Sequence, residues 1–194
     1  MDLGLRGRRA LITGGSRGIG FAVAEALAAE GAAVGLVARD AAGLAEAAGR
    51  LEPRGVPVAT AAADVTDTPA LQRAVAEIAS ALGGLDHLVA NAGGTVGTGN
   101  LTSAADDEFT ATFALNAGHA VELIRAGRPH LRAAGGGAVV IISSVTGMRP
   151  APRTAYAAAK AAEIHLAATA AQELAPAGVR VNCVQVGAIW GAFA

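Results

Sequence analysis

Short apolar runs alternate with longer stretches of helical spacing along the whole chain, and this order constrains the fold more than any other feature. The runs fall at 9–13, 34–38, 56–61, 87–90, 138–142 and 179–186. Between them, helical spacing covers 19–30, 41–52, 68–82, parts of 105–134 and 155–175. Runs this short, without strict polar alternation, suit strands covered on both faces. A helix between each pair of strands makes the connections crossovers, so the sheet is expected to be parallel. The expected architecture is α/β, a doubly wound parallel sheet of six strands in one domain spanning 1–194. A closed eight-unit barrel needs more strands and residues than are present. In an open sheet of this kind a ligand binds beyond the carboxyl ends of the strands, near the reversal of strand order.

Composition narrows the function. Hydrophobic residues are 53% of the chain and charged residues 16%, a balance that excludes intrinsic disorder. Much of the apolar content is alanine, and aromatics are only 3%. The mean hydropathy of +0.44 raises the possibility of a membrane span. Glu25, Glu30, Lys160 and Glu163 interrupt the longest apolar stretches, so no membrane partner is expected. The start carries Arg6, Arg8 and Arg9, but Gly14, Gly15 and Arg17 cut the following apolar run too early for a secretory signal. A cytoplasmic protein is expected. Fifteen basic against sixteen acidic residues give no electrostatic footprint for nucleic acid. Cys183 is the sole cysteine and reads as packing within an apolar strand, and His87, His119, His130 and His165 form no close-spaced metal-ligand set.

Two motifs carry chemistry. The first strand-to-helix turn reads Thr13-Gly14-Gly15-Ser16-Arg17-Gly18-Ile19-Gly20. Glycines at these positions let the backbone turn tightly and approach a pyrophosphate, whose charge a helix N-terminus favours. The second motif is Tyr156 with Lys160, the only tyrosine and the only lysine of the chain. Four residues apart on a helix, they share one face. A phenol titrates near pH 10, and a nearby ammonium is expected to favour the phenolate, making Tyr156 a better proton exchanger near neutrality.

With these motifs in this order, the chain resembles the short-chain dehydrogenases/reductases in the branch with Thr-Gly-x-x-x-Gly-x-Gly and Tyr-x-x-x-Lys. The resemblance implies that Gly14, Ser16, Arg17, Gly18, Ile19 and Gly20 bind cofactor. It implies the same for Asp64-Val65 at the adenine, for Asn91-Ala92-Gly93 after the fourth strand, and for Gly187 and Ile189 after the sixth. Asn116, Ser144, Tyr156 and Lys160 would form the catalytic set, with Ser144 preferred to Ser143 as the group that holds the substrate carbonyl. Tyr156 would exchange the proton, Lys160 would shift the tyrosine and hold the nicotinamide ribose, and Asn116 would support a relay water. The implied activity is hydride transfer between a nicotinamide cofactor and a small-molecule carbonyl or secondary alcohol. The alternative is a nucleotide-binding chain without turnover.

Cofactor choice has a physical handle at the end of the second strand, Val37-Ala38-Arg39-Asp40. An acid there binds the adenosine ribose of NAD, whereas a 2′-phosphate calls for arginine. Ala38 supplies no acid, and Arg39 with Arg17 suits NADP(H); Asp40 is the rival one residue later.

The family pattern breaks after the sixth strand, where Val186 stands in place of a proline and Gly191 in place of a threonine. The sequence stops at Ala194, before the family's substrate-covering segment and seventh strand, so either a fragment or a chain without a lid is expected. The sixth strand, left as an edge, is expected to favour a homo-oligomer, with the Ala-rich helix 155–175 as a second contact.

Overall fold

The computed structural model describes residues 2–189. Six strands form one parallel sheet: β1 (Arg9–Thr13), β2 (Ala33–Ala38), β3 (Val58–Ala62), β4 (His87–Ala90), β5 (Gly137–Ser144) and β6 (Val179–Val186). Their spatial order is β3-β2-β1-β4-β5-β6, so the winding reverses between β1 and β4. The doubly wound α/β expectation holds, and most strand limits agree with the sequence reading to within two residues.

Helices cover both faces. α1 (Gly18–Ala29) and α2 (Ala41–Leu51) pack on one, burying Phe21, Ala24, Leu44 and Leu51 against Ile12, Val34 and Leu36. α3 (Thr68–Leu82), α5 (His119–Ala133) and α6 (Thr154–Leu174) pack on the other, where Leu71, Ile78, Leu123, Leu131 and Leu174 meet Leu11, Leu88, Val139 and Ile141. Residues such as Leu11 and Leu88 are fully buried, which is why the central runs show no polar alternation.

Local signals end the helices where the chain must turn. Asp67 accepts from Ala70 N at 3.0 Å to cap α3 at its start, and Gly83 closes it at φ 74. β6 departs from the two-sided expectation: Val179 and Val181 are buried, while Arg180, Asn182 and Val184 are exposed. The stretch 105–134 is not one kind of helix. A short α4 (Glu108–Phe113) passes through a π-helical turn, Ala114–Gly118, into α5. That wider turn carries Asn116, and π-turns of this kind recur at functional sites.

Candidate active site

The carboxyl ends of the six strands bring distant motifs to one edge. The glycine turn follows β1, Arg39 follows β2, Asp64 follows β3, Asn91 follows β4, Ser144 ends β5 and Gly187 follows β6.

The glycine turn is built by backbone. Gly14 and Gly18 take φ +65 and +57, a region costly for other residues. At Gly20 the limit is space instead: a Cβ there would lie 2.2 Å from Gly14 O and 2.5 Å from Asn91 Nδ2. The first helical bond of α1 runs from Phe21 N to Arg17 O at 3.2 Å, so the N–H groups of Gly18, Ile19 and Gly20 lack intrahelical acceptors. Arg17 gives no side-chain cap, and no acid lies in the first turn. A Cβ on Gly18 would meet nothing within 4 Å. Open space beside free N–H donors fits the pyrophosphate of a dinucleotide.

Thr13 locks this turn to β4. Its Oγ1 accepts from Asn91 N at 3.0 Å and Ala92 N at 3.2 Å, while Asn91 Nδ2 donates to Thr13 O at 2.9 Å. His119, one of the four histidines that form no metal-ligand set, completes the lock. Its Nδ1 lies 2.9 Å from both Leu115 O and Asn116 O, and its Nε2 lies 3.2 Å from Thr13 Oγ1. Two carbonyls around Nδ1 require the proton there. Two N–H donors occupy the lone pairs of Thr13 Oγ1, whose own proton has Val89 O at 3.3 Å and Nε2 at 3.2 Å as acceptors, so Nε2 cannot donate to it. The ring is therefore neutral, and burial pushes its pKa down to about 4. His119 ties the π-turn to the switch point between β1 and β4; its spacing of three from Asn116 was the available signal.

Asn116 is fully buried and spends its side chain on backbone. Nδ2 donates to Gly94 O at 2.7 Å and Thr112 O at 2.6 Å, and Oδ1 accepts from Gly94 N at 3.2 Å. A Cβ on Gly93 would sit 2.7 Å from Asn116 Oδ1 and 3.2 Å from Lys160 Nζ. Gly93 is thus the gap across which Asn116 and Lys160 approach each other.

At the end of β5 the two serines separate. Ser143 Oγ donates to Lys160 O at 2.8 Å, within the wall between β5 and α6. Ser144 Oγ accepts from Thr146 N at 3.2 Å and faces the phenol of half-buried Tyr156.

Lys160 and Glu163 stand together behind Tyr156. Lys160 is buried, with Nζ 5.5 Å from the centre of the tyrosine ring. It donates to Ile142 O at 3.0 Å and to Glu163 Oε1 at 3.1 Å. The Tyr156 pKa is raised, first by burial and then by the Glu163 charge, against the Ser144 hydroxyl and Arg153.

Beyond β3, Asp64 accepts from Thr66 N at 2.9 Å and Thr66 Oγ1 at 2.7 Å. These bonds, with Arg39 nearby, hold its carboxyl below the usual range. Arg39, Asp64, Val96 and Leu115 line a cleft of ≈ 370 Å³. Asp40 accepts from Ala42 N at 3.1 Å as the N-cap of α2, so the rival acid is engaged in ending a loop. Arg17 and Arg39 are both exposed. Val65 is buried next to Asp64, and Gly187 and Ile189 are exposed beyond β6. Gly191 lies outside the described residues.

Known proteins share this fold. Residues 8–193 match the family described as short chain dehydrogenase. This chain is a member of the short-chain dehydrogenase/reductase family. Human "Dehydrogenase/reductase SDR family member 4" is 33% identical over 190 residues, which is 97% of this chain and 68% of that one. The L-sorbose reductase of Gluconobacter frateurii, solved with NADPH and L-sorbose, is 39% identical. It superposes with a TM-score of 0.95 over 99% of this chain and 73% of its own. Carveol dehydrogenase of Mycobacterium avium, solved with NAD, is 34% identical with a TM-score of 0.88, covering 93% of this chain and 70% of its own. Solved short-chain dehydrogenases that resemble this chain thus include complexes with either nicotinamide dinucleotide. Among the described residues no helix is long and apolar enough to cross a membrane.

Proposed function

We propose that this oxidoreductase transfers a hydride between NADP(H) and the carbonyl or secondary alcohol of a small molecule. The observation that carries the reading is the meeting of Ser144, Tyr156 and Lys160 at the carboxyl end of β5, beside the glycine turn of β1. When bound, the cofactor supplies or receives the hydride. The free N–H groups of Gly18, Ile19 and Gly20 would hold its pyrophosphate, with Ser16 at the turn and Asn91, Ala92 and Gly93 along the β4 side. Val65 would cover the adenine beside Asp64, and Gly187 and Ile189 would flank the nicotinamide end.

The chain's own groups then handle the proton. Tyr156 donates it to the substrate oxygen during reduction and takes it back during oxidation. The Ser144 hydroxyl holds the same oxygen, placing it before the phenol. Lys160 would meet the nicotinamide ribose across Gly93. Asn116 fixes Gly94, and the remaining lone pair on its Oδ1 would support a relay water. What supports NADP(H) is the pair of exposed arginines, Arg17 and Arg39, together with the capping duty that occupies Asp40. L-sorbose reductase, which carries NADPH in its solved complex, favours polyol and ketose chemistry as the first substrates to try. A cytoplasmic homo-oligomer remains the expected setting, supported by the single cysteine and the Ala-rich α6.

The test is Tyr156→Phe. Ketone or ketose reduction should fall by about 10²- to 10⁴-fold, the usual weight of a positioned proton exchanger. NADPH affinity, read by fluorescence titration, should stay within about twofold, since only a hydroxyl is removed. A variant that reduces ketones at the wild-type rate would remove Tyr156 from the chemistry.

A further inference from the structure

Four glycines in seven residues, Gly93-Gly94-Thr95-Val96-Gly97-Thr98-Gly99, follow β4, a composition that costs entropy to order. The stretch is nevertheless held. Three side chains four residues apart, Glu108 and Thr112 of α4 and Asn116 of the π-turn, each take a backbone N–H from it. Asn116 Oδ1 accepts from Gly94 N at 3.2 Å, Thr112 Oγ1 from Val96 N at 3.1 Å, and Glu108 Oε2 from Thr98 N at 2.8 Å. Every second N–H of the loop finds its acceptor one helical turn further back. The two repeats match, since four residues of helix rise about 6 Å and two residues of extended chain span about 6.6 Å. Glu108 Oε2 also accepts from Thr98 Oγ1 at 3.2 Å and from Gly99 N at 3.4 Å. A Cβ on Gly97 would fall 2.0 Å from Glu108 Cδ, so the glycine lets the carboxylate close on the loop.

The far end of the loop is tied to the helix that carries Tyr156. Ala155 lies in the first turn of α6, where N–H groups have no intrahelical acceptor, and it donates to Gly99 O at 3.0 Å. We propose that Glu108 and Thr112 are positioning residues for the proton-exchanging tyrosine: with Asn116 they hold residues 94–99 as a wall that seats the first turn of α6, and Tyr156 with it, against the substrate. This rests on the catalytic reading of Tyr156.

Two contributions of Glu108 have to be separated. It stands in the first turn of α4, where its charge favours the helix, and its oxygen closes the loop. Glutamine loses the charge but keeps an oxygen that can accept from Thr98 N, whereas alanine loses both. The difference between the two variants isolates the latch. Thr112 is fully buried and holds the middle of the loop. Val96, which lines the cleft beside Arg39 and Asp64, keeps this anchor when Glu108 is replaced. Loss of Glu108 therefore acts on the α6 end of the wall and spares the cofactor end.

The amide of Ala155 reports on the wall, because its acceptor is Gly99 O. In Glu108→Ala, hydrogen exchange followed by NMR should speed up about tenfold or more at Thr98, Gly99 and Ala155, and stay at the wild-type rate at buried Ala167 in the middle of α6. The kcat of ketose reduction should fall about tenfold, the cost of a small misplacement of reacting groups, with NADPH affinity within about twofold of wild type. Glu108→Gln should return exchange and kcat to within about threefold of wild type. A merely structural loss would instead lower the amount of NADPH bound. Thr112→Val, which removes the acceptor of Val96 N, should open Val96 and Ala155 about threefold or more. The proposal is overturned if Ala155 keeps its wild-type exchange while Thr98 and Gly99 open, if Ala155 opens with kcat unchanged, or if glutamine proves as damaging as alanine. Should circular dichroism show Glu108→Ala unfolded, Thr112→Val decides, and where ketose turnover is too slow to measure, exchange at Ala155 decides. An active Tyr156→Phe, by contrast, sinks the catalytic reading while leaving the exchange pattern intact.

Discussion

The glycine turn after β1 and the wall between β5 and α6 meet at one edge of the sheet, yet they achieve their ends differently. The turn is made of backbone: positive φ at Gly14 and Gly18, free N–H groups and no buried charge. The wall is made of side chains, with a lysine and a glutamate fully enclosed. A backbone site offers donors whose strength does not depend on pH. A site of buried ionisable groups has a strength that its neighbours set and that protonation alters.

The sharpest way to break the backbone side is Gly20→Ala. The added Cβ would fall 2.2 Å from Gly14 O, and backbone cannot yield as a side-chain tip can. We expect a destabilisation of about 3 kcal/mol or more in chemical denaturation, and a loss of NADPH binding of at least ~100-fold in whatever fraction folds. Gly49→Ala is the control, because a Cβ there meets nothing within 4 Å and the position is a helix interior. It should be neutral or stabilising by up to about 1 kcal/mol. Equal stabilities for the two variants would show that the turn is not sterically committed.

This difference also decides what was legible beforehand. Closely spaced glycines after a short apolar run mark a tight backbone turn, so the turn and the strand-helix order could be read from residue types alone. The convergence of Asp64, Asn91 and Ser144 followed from their places at strand ends. The buried polar network was harder to read. Glu163 stands three residues from Lys160, a spacing for an ordinary exposed pair as much as for an enclosed one, and only packing against β5 distinguishes the cases. The net upward shift of Tyr156, from burial first and then the Glu163 charge, was therefore not legible in the sequence. His119 likewise looked like one of four scattered histidines until the π-turn, which no spacing rule announces, brought it under Thr13.

His119 sharpens the comparison because it puts one titratable group inside the backbone region. Its pKa in the fold is about 4, against an ordinary value near 6.5, so between these limits the unfolded chain takes a proton that the folded chain refuses. The stabilisation is complete above pH ~6.5 and is lost as pH falls toward 4, reaching about 3 kcal/mol from this group. In His119→Gln the slope of stability against pH between 6.5 and 4.5 should be shallower by nearly one proton, measured by urea denaturation at several pH values. Parallel slopes for variant and wild type would mean that His119 is not the buried neutral group described.

The smallest effect belongs to the rim. Arg39 is exposed, and its charge reaches a 2′-phosphate through water and salt as well as directly. An exposed charge-assisted contact is worth on the order of 1.4 kcal/mol, so Arg39→Ala should weaken NADPH about tenfold. NADH, which lacks the phosphate, should be bound within about twofold of wild type. Removing Arg39 also takes a cation from beside Asp64, but Thr66 still donates two hydrogen bonds to that carboxylate and holds the loop in place. The preference for NADPH should shrink as salt rises from 0.05 to 0.5 M, since screening shortens the reach of a surface charge well below ~10 Å. The loss from Gly20→Ala should not change with salt, because a steric clash is not screened. Equal affinities of wild type for NADPH and NADH, or a loss in Arg39→Ala that is the same for both, would remove Arg39 from cofactor choice and return the question to Asp40.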